Sequence, residues 1–158
     1  MYTGFIRKQE GGRQGVYMAG EIAEASRRAG EILKGIRELP RERVSAAVLL
    51  PLLQKAVCHK LMVGEQQEGN IRNLVILSIK LQDQRAGNLS DETIRRQIKK
   101  YDCHQTSLVA QKKVLLLMYL ERELGFHMSD DEASSIETLE DLSNLAAAYL
   151  AKERCFQS

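Results

Sequence analysis

Two adjacent pairs, Cys58-His59 and Cys103-His104, hold the most reactive side chains of the chain, and Asp102 stands directly before the second pair. A thiol beside an imidazole that a carboxylate orients is a nucleophile's arrangement. Such partners are normally gathered by the fold, however, and three consecutive residues rarely converge in that way. Zinc asks for about four ligands at paired spacings such as Cys-x-x-Cys or His-x-x-x-His. Adjacent Cys and His on a helix point to different faces, so no metal site is expected. The chain has no Gly-rich phosphate loop and no acid–base constellation, and no enzyme is expected. One basic run remains, Arg95-Arg96-Gln97-Ile98-Lys99-Lys100. Arg95, Arg96, Lys99 and Lys100 could contact phosphates, with Tyr101 as a stacking neighbour. The competing reading is a solvated helix face, since no second, base-reading helix of a helix-turn-helix can be pointed to.

These side chains belong to a chain of 158 residues, a length that fits one compact domain or a domain with a helical appendage. Apolar residues make up 44% of it, with three Phe, five Tyr and no Trp, so its core must be aliphatic. Good helix formers dominate and only two prolines interrupt them. The formal net charge is +2 with acids and bases interspersed, so no general field for polyanions follows. Three cysteines (Cys58, Cys103 and Cys155) fit reduced thiols in a cytoplasmic protein. The runs Ala46 to Leu53 and Val114 to Leu120 are too short to span a bilayer, and the N-terminus has no apolar signal core.

The elements follow from periodicity and capping. Residues 1–15, with Gly11, Gly12 and Gly15, read as a flexible arm. Ile22, Ala25, Ala29, Ile32, Leu33 and Ile36 recur at helical steps over 18–38, and Leu39-Pro40 closes that helix. A second helix is expected over 41–63, kinked or broken near 48–50 by Pro51 and capped by Gly64. Residues 70–84 suit a helix, although Val75, Leu77, Ile79 and Leu81 alternate as a strand would; no partner strand exists, so helix is preferred. Ser90-Asp91-Glu92 opens a helix that ends near Tyr101. Thr106 or Ser107 then caps a long helix to Leu124, which Gly125 stops. Ser129-x-x-Glu132 and Thr138-x-x-Asp141 are consecutive capping signatures, which predict a helix of one or two turns and then one over about 139–152.

The stretch Val109 to Leu145 resembles the second half of an acyl carrier protein. The recognition helix would hold Val114, Leu116, Met118, Leu120 and Glu121 and leave through Glu123-Leu124-Gly125. A short loop ending in Ser129-Asp130-Asp131-Glu132-Ala133 follows, then Ile136, Thr138 and Leu139 and a last amphipathic helix. The family's Asp-Ser-Leu, whose serine bears the phosphopantetheine arm, is matched here by Val109, Ala110 and Gln111. Alanine has no hydroxyl to charge. Ser107 stands three residues earlier, and phosphopantetheine on it would need a helix nearly one turn longer than the family's. Nothing upstream of Val109 matches the carrier's first half, and Lys112-Lys113 opens a helix that is acidic in the family. What the resemblance implies is a degenerate carrier that acts by docking, with Lys112, Lys113, Tyr119 and Arg122 as its docking face.

The expectation is therefore an all-α helical bundle of six or seven helices, its C-terminal part acyl-carrier-like. A flexible arm (1–15) precedes an N-terminal helical region (16–101) and a carrier-like region (102–158). The expected core comprises Ile32, Val48, Leu52, Val57, Leu74, Val114, Leu117, Leu120, Ile136, Leu142 and Leu145. The expected function is non-enzymatic docking of a protein partner, with no cofactor. A carrier charged on Ser107 and a nucleic-acid-associated regulatory protein are the alternatives. The wide apolar stripe over 44–61 raises the expectation of a homodimer through the N-terminal half.

Overall fold

The computed structural model describes the backbone of residues 2–86, 96 and 108–157 and the side chains of residues 20–84, 96 and 108–152. Six α-helices and one 3-10 turn make up the described residues, which contain no strand. The fold is an all-α bundle.

Helix α1 (Tyr2–Arg37) buries Ala29, Leu33 and Ile36 on one face, and its last turn tightens before Pro40 as Leu39 N–H donates to the Ile36 carbonyl (3.2 Å). Its backbone is already helical across the segment read from sequence as an arm. On the solvent side, Glu24 holds Arg27 at 2.6 Å and Arg28 at 3.1 Å, and Arg27 also meets Glu31.

The expected second helix starts later and runs unbroken. Arg41–Arg43 form a single 3-10 turn, and Ser45 caps α2 (Ala46–Leu61) by accepting from Val48 N–H at 3.2 Å. Pro51 sits inside the helix without breaking it. The donor it lacks would have served the carbonyl of Ala47, and both residues are exposed, so water can serve it instead. The helix ends at Met62 rather than Gly64: Met62 itself takes the left-handed conformation (φ 58°), and Val63 N–H returns to the Cys58 carbonyl (3.2 Å). Gly64 is also left-handed (φ 73°) but lies in the loop beyond. The Gln54 side chain fastens that loop, donating to the carbonyls of Gln66 (2.6 Å) and Glu68 (3.0 Å).

Residues 71–86 are helical, as preferred over the strand alternative: α3 (Ile71–Ala86) starts where Asn70 Oδ1 accepts from Asn73 N–H (3.1 Å). Helix α4 (Leu108–Leu124) ends at Gly125, whose φ of +79° and closeness to the Arg37 guanidinium leave little room for a side chain. Both predicted capping signatures form. Ser129 and Glu132 exchange reciprocal bonds ahead of α5 (Asp130–Ser135). Thr138 and Asp141 do the same at 3.1 Å each ahead of α6 (Leu139–Gln157). Of the expected helix from Ser90 to Tyr101 residue 96 alone is described, and it is helical; the caps at Thr106 and Ser107 lie outside the described residues.

Packing draws all of these helices into one core. Helix α2 packs against α1, α3 and α6, while α4 packs against α1 and α3. Buried side chains from Ala29 to Leu150 form a single apolar cluster. Of the expected core, Val57, Leu74, Leu117, Leu120, Ile136 and Leu142 are buried, and Ile32, Leu52 and Leu145 are half-buried against it. Val48 and Val114 are corrections: both are exposed. Helix α4 is apolar from Val114 to Leu120 without a gap, so it cannot turn every one of these residues inward, and periodicity gives no preferred face. The α2 stripe is met by three helices of the same chain, with Val48 left exposed.

A groove along the outer face of helix α4

Three large apolar side chains stand together on the solvent side of α4: Val114 is 54% exposed, Leu115 64% and Met118 58%. Their spacing of one, three and four residues puts them on one face. Ile22 of α1 is exposed as well and lines the same groove as Leu115 and Met118.

That groove has a volume of about 600 Å³ and is walled by four helices. Ile22 comes from α1, Lys60 and Met62 from the end of α2, Ser78 and Gln82 from α3, and Lys112, Leu115, Met118, Tyr119 and Arg122 from α4. Its polar groups are held in place. The Ser78 hydroxyl donates to the Leu61 carbonyl (2.7 Å), an open carbonyl of the last turn of α2, and accepts from Gln82 (3.3 Å). Gln82 in turn accepts from Lys112 Nζ at 2.8 Å. At the other end of the groove, Lys60 Nζ donates to Ser26 Oγ (2.9 Å) and lies 4.2 Å from the centroid of the Tyr119 ring. The Tyr119 hydroxyl donates to the Ser26 carbonyl (3.1 Å), and Arg122 approaches the same ring at 5.7 Å.

Charge in this groove is lopsided. Burial pushes the Lys60 ammonium below the usual lysine range, and Arg122 pushes it the same way while Glu123 opposes. Burial lowers Lys112 likewise, with Asp83 opposing. Neither lysine has a carboxylate within ion-pair distance among the described residues; their hydrogen-bond acceptors are neutral.

A second, larger groove of about 910 Å³ lies on the other flank of the ridge, between α4 and the turn into α5. Val114, Leu117, Met118, Phe126 and Met128 line it, with Lys113 and His127 among its polar members. Glu121 organises this turn, bonding His127 Nδ1 at 2.9 Å and accepting from Met128 N–H at 3.4 Å. Phe126 stacks on Tyr149 with centroids 5.0 Å apart, and the Tyr149 hydroxyl donates to Glu132 (2.5 Å).

The docking residues expected from sequence divide accordingly. Arg122 is exposed and lines both grooves, while the half-buried Lys112 and Lys113 line the first and the second. Tyr119 is a correction: at 8% exposure it is a packing residue that ties α4 to α1, because its hydroxyl finds a partner inside. What the sequence did not single out is the Val114–Leu115–Met118 ridge between the grooves, of which Val114 is expected in the core. Ala110, which the resemblance sets against the carrier serine, is exposed in the first turn of α4 and lines the second groove. Ser107 lies outside the described residues. Of the basic run, Arg96 is helical and exposed; Arg95, Lys99 and Lys100 lie outside the described residues.

The cysteine–histidine reading separates in the same way. Cys58 is buried, and burial pushes its thiol up, away from the thiolate a nucleophile needs. Cys103 and His104 lie outside the described residues; among the described residues no group of three or more His, Cys, Asp or Glu side chains is placed to hold a metal ion. No described helix is long and apolar enough to cross a membrane. Compared with known proteins, the chain matches no family model, no curated protein and no solved structure.

Proposed function

We propose that this chain is a non-enzymatic helical docking module that binds another protein through the outer face of α4. The observation that carries this reading is the ridge of Val114, Leu115 and Met118, each more than half exposed and adjacent on one helix. Scattered apolar residues on a surface need no explanation, but a contiguous patch rimmed by polar groups marks a contact site. The two grooves beside the ridge add shape to it. The carrier-like part of the reading draws support from the order of long helix, short capped helix and final helix over 108–157, and from the alanine at the attachment position. A degenerate carrier would keep the shape and dispense with the arm.

The test is site-specific photo-crosslinking in cells. A benzophenone amino acid in place of Leu115 should give a discrete adduct of defined mass. The same group in place of Lys55, on the exposed side of α2, should not. Identical adduct patterns from both positions, or none from 115, would sink the reading.

A further inference from the structure

The first groove of α4 carries a pattern that specifies its occupant more closely. Its apolar lining is open to solvent where Ile22, Leu115 and Met118 flank it. Its two ends are cationic: Lys112 stands at one, and Lys60, seated over Tyr119 and beside Arg122, at the other. Lys112 and Tyr119 are seven residues apart on one helix, which sets their backbone anchors about 10 Å apart. Both ammonium groups are partly desolvated, and both bond only neutral acceptors among the described residues. Asp83 and Glu123 are the acids that act on them, and neither comes within 4.0 Å.

A desolvated cation without a paired anion is unfavourable in the free protein, and an incoming carboxylate relieves it. One such cation on Lys112, and another seated over Tyr119 two helical turns along α4, at the ends of an apolar strip, complement an amphipathic helix with acids at positions i and i+7 beside its apolar stripe. We propose that this groove binds an acidic amphipathic helix of a partner protein, its apolar stripe laid on Ile22, Leu115 and Met118 and its two acids meeting Lys112 and Lys60. This rests on the docking reading above and names the chemistry of the partner.

The probe is a fluorescently labelled synthetic helix of about five turns (~18 residues) with a Leu stripe flanked by Glu at i and i+7. A second peptide carries Lys at both positions. Fluorescence anisotropy against the full chain should show saturable binding of the acidic peptide, weakened by added salt. Lys112→Gln and Lys60→Gln should each weaken it by about tenfold. Leu115→Glu should abolish it, and circular dichroism should show that variant to be as helical as the parent. Equal binding of the two peptides, with both lost in Leu115→Glu, would overturn the acidic partner and leave docking through α4 standing. Absence of peptide binding would overturn the inference outright, and a sedimentation mass of twice the monomer, reverting to monomer in Leu115→Glu, would assign the groove to a second copy. The photo-crosslinking result judges the docking reading independently of either outcome.

Discussion

Asn70 and Thr138 face each other across a single antiparallel bridge, and each caps the helix that follows it. Ile71 N–H donates to the Glu137 carbonyl (3.0 Å) and Leu139 N–H to the Gly69 carbonyl (2.8 Å). The first turns of α3 and α6 are thereby tied together, so donors that a helix end leaves open are met by a neighbouring strand-like residue as well as by a cap.

Loss of either cap should cost about 1 kcal/mol, so Asn70→Ala and Thr138→Ala are each expected to lower stability by that amount. Because both caps set the backbone of the same bridge, the double variant should depart from additivity by about 0.5 kcal/mol or more. A urea-denaturation cycle measures this. Additivity within about 0.3 kcal/mol would mean that the bridge does not couple them.

Leu115 and Leu120 test the division of α4 into an outer and an inner face. Leu120 is fully buried, and Leu120→Ala should cost about 2–5 kcal/mol through lost burial and the cavity left behind. Leu115→Ala should change stability by no more than about 0.5 kcal/mol. Comparable losses at the two positions would show that Leu115 is covered in solution.

Met62 holds a left-handed conformation that a side chain disfavours and that glycine adopts freely. Met62→Gly should therefore raise stability by about 0.5–1 kcal/mol, read as a higher denaturation midpoint at unchanged slope. A lower midpoint would mean that contacts of the half-buried Met62 side chain outweigh its backbone strain.

How much could be seen in the sequence divides by range. The caps at Ser129 and Thr138 and the stop at Gly125 were legible because their chemistry lies within four residues of chain. The helix over 70–84 was legible for a different reason, the lack of any strand to pair with. No break follows from Pro51, since a proline in the exposed second turn of a helix forfeits only a bond that water can replace. Gly64 misled because the stop came two residues sooner, on a methionine. The groove was illegible: Tyr119 meets Ser26 and Lys60 only through the tertiary fold, and an uninterrupted apolar run gives no hint of which side will face water.

Acid should unfold the protein through three carboxylates. Glu24 is lowered to about 2, first by its hydrogen bond to Arg27 and then by Arg28. The Tyr149 hydroxyl, then the Ser129 backbone, lowers Glu132. The N–H groups of Glu137 and Thr138 lower Asp141. An acid lowered in the folded state contributes stability that is fully present above about pH 5 and lost as pH falls through its folded value. Thermal melts from about pH 5 down to about pH 2.5 should show a falling midpoint, with a shallower fall in Glu132→Gln and Asp141→Asn. An unchanged slope in both variants would count against this account.

Incubation with coenzyme A and a promiscuous phosphopantetheinyl transferase should leave the intact mass of the chain unchanged, since Ala110 offers no hydroxyl. A mass gain of one arm that Ser107→Ala abolishes would establish a displaced attachment site and overturn the armless reading.

The single core has a consequence for how the chain can be divided. Helix α6 lies against α2, and the walls of the α4 groove are supplied by α1, α2, α3 and α4 together. A fragment holding only residues 108–158 would expose the faces of Leu142, Ala146 and Leu150 that the intact chain buries, and it would carry half a groove. Whatever is inherited, transplanted or trimmed in this protein, the smallest portable unit of its fold is therefore the full bundle.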